Sequence, residues 1–111
     1  MNIHDCLEID WADVDGSTLN EGDFITLNVS GMRYETLKTT LHRFPDTLLG
    51  DEKQRNSFYV ESKKAFFFNR CRLSFDAILY YYQSGGILVR PSSVPLVTFK
   101  KEVVFFNLGQ A

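Results

Sequence analysis

The sequence is poor in several features that whole classes of protein require. It has 2 cysteines, Cys6 and Cys71, too few for a disulfide-stapled secreted scaffold, which points to a reducing compartment. Basic charge is not in excess: 12 Lys and Arg stand against 14 Asp and Glu, for a formal net charge of −2. Nucleic-acid binders and peripheral membrane proteins need a basic face, so neither is expected. No apolar run approaches the roughly 18 residues that a bilayer span demands. Met1 leads into a polar, acidic stretch rather than a signal peptide. Residue 2 is Asn, not the Gly of a myristoylation motif, and Gly109-Gln110-Ala111 is no prenylation box. The chain reads as a soluble cytosolic piece, with no internal repeats and no low-complexity tract.

What it does have is apolar and aromatic mass. A length of 111 residues suggests a single domain, and a hydrophobic fraction of 44% excludes a disordered chain. Aromatics make up 14% and cluster as Phe66-Phe67-Phe68, Tyr80-Tyr81-Tyr82 and Phe105-Phe106. Such clusters call for a tight core, a large interface, or both.

Met1 to Asp23 is acidic, weakly patterned and interrupted by Gly16 and Gly22, an N-terminal arm over 1–23. Phe24–Val29 alternates apolar and polar, Ser30-Gly31 turns the chain, and Met32–Thr36 alternates again, so a hairpin is expected. A short helix over Thr36–His42, with Leu37 and Leu41 at i and i+4, stops before Pro45. Asp51–Ser57 is a helical turn or a loop. Phe58–Val60 and Phe66–Phe68 read as short strands joined by the charged turn Glu61–Lys64. The clearest helix follows: Ser74 is a suitable N-cap, Phe75, Ile78, Leu79 and Tyr82 fall on one face, and Gly85-Gly86 closes it. Ile87–Val89 suggests a brief strand. Pro95 fits the first turn of a last helix whose face carries Leu96, Phe99, Val103 and Phe106, with Gly109 as its cap. The fold class is α+β, short strands interleaved with short helices.

Few residues offer chemistry. His4-Asp5-Cys6, His42 and Cys71 do not fall at zinc-ligand spacing, and there is no C-x-x-C or H-x-x-x-H. Arg70 and Arg72 flank Cys71 and could activate its thiol, but no local signature supplies a His partner. The acidic run Asp5, Asp10, Asp13 and Asp15 reads as a solvated arm rather than an acid–base pair. Asn28-Val29-Ser30 matches a glycosylation sequon but lies in an expected strand. Gly85-Gly86 is a helix end, not a phosphate loop. The residues describe a binding module with no cofactor and no metal, not an enzyme.

Several segments are more specific than this. Phe24–Thr36, Phe44-Pro45-Asp46-Thr47-Leu48-Leu49-Gly50, the long stretch Phe67–Gly86, Arg90-Pro91, Val94-Pro95-Leu96 and Phe105–Gly109 resemble the cytoplasmic tetramerisation domain of voltage-gated potassium channels, in its Shaker-type version. The resemblance runs from about Phe24 to the end. It implies a BTB/POZ-like fold over 24–111, four subunits around a four-fold axis on the cytoplasmic side of the plasma membrane, and assembly with identical or related channel subunits. The matching region stops where a channel chain would head toward its first membrane helix, so the chain is expected to be a fragment that itself makes no membrane contact.

Non-Shaker branches of that family join subunits through zinc, with a His and a Cys just after the Gly-Gly turn and a Cys-Cys pair near the C-terminus. Ile87–Leu108 contains neither His nor Cys, so a zinc-free interface is expected. A closed ring needs two different complementary surfaces on each subunit. Thr26, Asn28 and Ser30 are expected to point away from the core, with Arg33, Glu35 and Thr36 across the turn. The resemblance implies that Asn28, Arg33 and Thr36 of one subunit meet Asn69, Arg70, Arg72 and Asp76 of its neighbour. Where Shaker-type members usually carry Asp-Arg-Asn-Arg-Pro, this chain has Asn69-Arg70-Cys71-Arg72-Leu73, exchanging a charge pair for a hydrogen bond. Phe105, Phe106, Asn107 and Leu108 fall in the segment that helps dock a cytoplasmic β-subunit, and here it is less acidic than in the family. A soluble BTB adaptor, dimeric or pentameric, is the competing reading.

Overall fold

The computed structural model describes residues 19–109. Residues 1–18 of the expected arm lie outside these. Its end, Glu21–Asp23, is a 3₁₀ turn in which Asn20 N–H donates to Asp23 Oδ2 at 2.9 Å.

The chain then builds the expected hairpin. Strands β1 (Phe24–Val29) and β2 (Met32–Leu37) pair antiparallel from Phe24↔Leu37 to Val29↔Met32. The two-residue turn has positive φ at both positions, 49° at Ser30 and 99° at Gly31. Tight hairpins need this geometry because it matches the strand twist, and glycine adopts it freely. Asn28 Oδ1 accepts from Gly31 N–H at 2.8 Å and braces the turn. Helix α1 (Lys38–Leu41) starts later than the pattern suggests, because pairing with Ile25 and Phe24 claims Thr36 and Leu37 for the strand.

The following loop is organised by one hydroxyl. Thr47 Oγ1 donates to the Phe44 carbonyl at 2.7 Å and accepts from Gly50 N–H at 3.0 Å and from Tyr82 Oη–H at 2.6 Å. That uses every hydrogen-bonding site of a buried threonine. A Cβ at Gly50 would lie 1.9 Å from the Phe44 oxygen, so no other residue fits there. Helix α2 (Glu52–Asn56) follows, its Asp51 cap accepting from Lys53 N–H at 3.0 Å.

Strands β3 (Tyr59–Val60) and β4 (Ala65–Phe68) pair antiparallel around a 3₁₀ turn at Glu61–Lys63, with Lys64 left-handed. The four strands form one sheet in the order β2-β1-β4-β3, with β1 and β4 parallel.

Helix α3 (Arg72–Ser84) buries Phe75, Ile78, Leu79 and Tyr82, the face expected from their spacing. Its start is a correction. Cys71 occupies the N-cap, and Ser74 lies buried in the first turn with its hydroxyl 3.3 Å from Cys71 Sγ. Gly85, at φ 82°, closes the helix, and Gly86 N–H reaches the Tyr81 carbonyl at 2.8 Å. Ile87–Val89 forms no strand and stays exposed. No sheet edge pairs with it, and the chain is folded back instead by Arg90 donating to the Val94 carbonyl at 2.7 Å.

Helix α4 (Leu96–Phe105) has Pro95 at its N-cap rather than inside its first turn. Its buried face departs from the expected one: Leu96 is 53% exposed, and Glu102 is buried beside Phe99. Asn107, at φ 58°, takes the capping position expected of Gly109. Asn107 N–H bonds Val104 O and Leu108 N–H bonds Val103 O, both at 3.0 Å, the paired pattern that a left-handed residue after a helix makes possible. A chain of tilted and edge-on ring contacts, Tyr34–Phe75–Phe106–Phe68–Phe58, threads the core from β2 to the loop after α2. Each such pair adds about 0.5–1.5 kcal/mol beyond burial. Much of the aromatic excess is thereby spent inside the domain.

Candidate functional site

The register divides the sheet into two sides. Ile25, Leu27 and Val29 of β1 face the core together with Tyr34 of β2, which pairs with Leu27 and stacks on Phe75 of α3 at 4.9 Å. Asn28 pairs with Arg33 and Thr26 with Glu35, so these four share the opposite side. Helix α3 lies on the core side. The polar residues flagged in the sequence therefore fall on two different surfaces, Arg33 and Glu35 on the outer side of the sheet and Arg72 and Asp76 on helix α3, which covers the core side.

They differ in how free they are. Arg33, Asn69, Arg72 and Asp76 are exposed. Asn28 lies on the outer side as expected but is only 6% exposed, because its carboxamide is spent on the hairpin turn. Thr36 corrects the expected grouping. It pairs with Ile25, so it sits on the core side of β2, three positions along the strand from Arg33, and is 7% exposed in the single chain. Adjacent strand residues cannot share a side, and Glu35 already occupies the outer one.

Arg70 is engaged within the chain. Its Nε donates to Glu102 Oε1 at 3.1 Å and its Nη2 to Oε2 at 2.7 Å, a two-pronged pair, while its guanidinium lies 4.1 Å over the Phe105 ring. Its carbonyl accepts from Ser30 Oγ at 2.7 Å, and Ser30 N–H donates to Phe68 O at 2.9 Å. The β1–β2 turn, the end of β4 and α4 are thus joined through one residue. Asp76 on α3 is coupled electrostatically to Tyr34 of β2. Burial first, and then the Asp76 carboxylate, push Tyr34 up to about 12, with Arg72 acting in the opposite sense.

Of the four C-terminal residues expected to offer a docking surface, Phe106 and Leu108 are core, at 0% and 4% exposure. This is a correction for those two side chains, and its reason is the α4 cap, which turns Leu108 back onto the helix. Phe105 is half-buried beneath Arg70, and Asn107 is exposed, its amide donating to Asp46 O at 2.9 Å.

Glu102 and Tyr34 were not singled out by sequence, and Ser30 was read only as a turn and outward-facing residue. Glu102 leaves a trace there, as a carboxylate three residues after Phe99 on an otherwise apolar helix face. The links of Ser30 and Tyr34 leave none, since their partners are 40 and 42 positions away.

Residues 25–111 match the family model described as BTB/POZ domain. The chain is 58% identical over 87 residues to potassium voltage-gated channel subfamily A member 7 of Homo sapiens, covering 78% of this chain and 19% of that protein. It is 47% identical over 104 residues to human subfamily A member 10, covering 90% and 20%. Against subfamily A member 2 of Mus musculus it is 52% identical over 86 residues, covering 78% and 17%. The chain thus spans about a fifth of the length of the curated relatives it matches, and these relatives are channels rather than enzymes. Among the described residues no helix is long and apolar enough to cross a membrane. With the family model covering all of the described sheet but Phe24, and both long helices, the chain belongs to the BTB/POZ domain family, as a tetramerisation domain of the Shaker-type potassium-channel branch.

Proposed function

We propose that residues 24–111 assemble four subunits of a voltage-gated potassium channel on the cytoplasmic side of the plasma membrane, with residues 1–23 as a separate arm. Selection among related subunits would run through polar contacts that need no zinc. The observation that carries this reading is the two-sided polar display. A ring is built from two unlike surfaces, and here the outer side of the sheet presents Arg33 and Glu35 while helix α3, packed on its core side, exposes Arg72 and Asp76. Asn28, Arg33 and Thr36 would meet Asn69, Arg70, Arg72 and Asp76 of the neighbour. Arg72 and Asp76 lead, because Arg70 is already paired to Glu102 and Asn28 to its own turn. Polar contacts suit discrimination, since a mismatched partner leaves donors unpaired at about 1–3 kcal/mol each. The absence of His and Cys from Ile87–Leu108 supports the metal-free form. A cytoplasmic β-subunit would dock on the exposed amide of Asn107 and the rim of Phe105, not on Phe106 or Leu108.

The test is the solution mass by light scattering. The wild-type chain should run near 51 kDa, four times the 12.8 kDa of one chain, with and without chelator. Arg72→Glu should run as a monomer with an unchanged circular-dichroism spectrum. A tetrameric Arg72→Glu variant sinks the role of Arg72, and a dimeric or pentameric wild type sinks the ring.

A further inference from the structure

At the end of the sheet opposite the hairpin turn lies a cavity of about 560 Å³ whose lining includes none of the residues named for the subunit contact. That is the size of a small-ligand site. Its walls combine three cations with three rings: Lys38 at the start of α1, Arg55 of α2 and Lys64 before β4, with Phe24, Tyr59 and Phe66. Glu52 is the single carboxylate among the lining residues.

Arg55 is the unusual member. The residue is 2% exposed, yet among the described residues it has no carboxylate partner. Its Nη1 donates to the Leu49 carbonyl at 2.7 Å and lies 3.4 Å from His42 Nε2, its guanidinium sits 5.5 Å from the Phe66 ring centre, and its Nε–H is buried with no acceptor. A buried cation is normally matched by a counter-charge, and a buried donor by an acceptor. Burial depresses the affinity of Arg55 for its proton, and the Glu52 and Asp51 carboxylates, which form no salt bridge with it, offset this only in part. Among the described residues Lys64 pairs only with Glu61, where both side chains are largely exposed, a contact that a competing anion displaces readily.

We propose that this cavity binds a small phosphate monoester with a flat aromatic body, its dianion held by Lys38, Lys64 and the unmatched guanidinium of Arg55 and its ring lodged against Tyr59 and Phe66. The lining carries more positive than negative charge, even though Glu61 offsets Lys64 and Asp51 acts on Arg55. The three oxygens of a phosphate match three cationic donors better than the two of a carboxylate. The aromatic walls supply the apolar contact that a bare anion would leave unused.

The experiment titrates the 111-residue chain with phenyl phosphate, inorganic phosphate and phenol, following backbone amide and arginine Nε–H resonances by NMR. Phenyl phosphate should produce saturable shifts at Lys38, Asn56 and Lys64 and in the Arg55 Nε–H signal, leaving the amides of α4 unmoved. Inorganic phosphate should bind at least tenfold more weakly, and phenol should give no saturable shift. Lys38→Glu with Lys64→Glu, both exposed positions that leave the fold intact, should weaken phenyl phosphate binding at least tenfold. No saturable shift by about 10 mM phenyl phosphate, an affinity weaker than any functional site needs, overturns the site. So does unchanged binding by the double variant. Equal affinity for phosphate and phenyl phosphate overturns the aromatic half, and equal affinity for phenol overturns the anion half. The solution mass plays no part in this readout, so the proposal stands or falls apart from assembly.

Discussion

Each end of the sheet holds a sequestered arginine, and the two are treated in opposite ways. At the hairpin end, Arg70 gives two parallel hydrogen bonds to Glu102, caps the Phe105 ring and passes its carbonyl to Ser30. At the far end, Arg55 is more deeply buried but has one carbonyl, a distant imidazole and an empty Nε–H. Charge in an interior is tolerated when geometry and remaining hydrogen bonds are complete, and is costly when they are not. Arg70 is therefore a tie between β4 and α4 that the fold itself explains. Nothing in the fold explains the incompleteness of Arg55. Buried arginine as such says nothing about function; the unfilled valence does.

The largest expected effect lies at the completed end. Glu102→Gln keeps the shape but leaves the Arg70 charge facing a neutral amide. Breaking a buried pair costs about 3–5 kcal/mol, and because Arg70 keeps 29% of its side-chain surface we expect about 2 kcal/mol. Urea unfolding should show a lower midpoint at unchanged slope. A loss under about 0.5 kcal/mol, the level of a surface pair, would reduce the tie to decoration and weaken the contrast with Arg55.

A smaller effect separates the same end by pH. Burial, and then the Asp76 carboxylate, push the Tyr34 hydroxyl up to about 12 from its ordinary 10. The folded state therefore holds more protons between these values. Its contribution is complete below pH 10 and is lost as pH rises through 10 to 12. Two units discounted for partial exposure give about 1–2 kcal/mol. The difference in stability between wild type and Tyr34→Phe, measured from pH 9 to pH 12, should shrink across that window. Since Tyr82 is also pushed up by burial, only the difference isolates Tyr34. A difference that stays flat would mean that neither burial nor Asp76 holds Tyr34 in its neutral form.

How much of this the sequence discloses depends on distance along the chain. The hairpin, the turn at Ser30-Gly31 and the buried face of α3 are local patterns, visible as alternation, a Ser-Gly pair and i, i+3, i+4, i+7 spacing. The resemblance located the polar residues of the candidate interface. What it could not assign was the core-facing side of Thr36, which follows from the Ile25 pairing, or the burial of Asn28, which follows from a hydrogen bond inside its own turn. Helix boundaries failed where a non-local claim overrode a local signal. Ser74 resembles a cap but is drawn into the core, and the left-handed Asn107 stops α4 before Gly109 is reached. The cavity was invisible for the same reason. Lys38, Arg55 and Lys64 belong to three unremarkable polar stretches that only the folded sheet brings to one opening.

The smallest expected effect is the most discriminating. Arg55→Met removes a residue buried to 98%, which would ordinarily be severe. It forfeits one hydrogen bond to the Leu49 carbonyl, about 1 kcal/mol, and the contact with Phe66, about 0.5–1 kcal/mol. Against this it removes an unmatched buried charge and an orphan donor, a penalty of comparable size, while the methionine fills a similar volume. The net should fall within about 1 kcal/mol of zero, smaller than the Glu102→Gln loss although the side chain removed is larger and better buried. Denaturation of the two variants side by side measures this directly. An Arg55→Met loss exceeding that of Glu102→Gln would show that the guanidinium is satisfied by the fold, and the two ends of the sheet would then differ in geometry alone. A near-neutral Arg55→Met leaves a charge that folding does not require, and a residue that stability does not require is free to be held for a ligand.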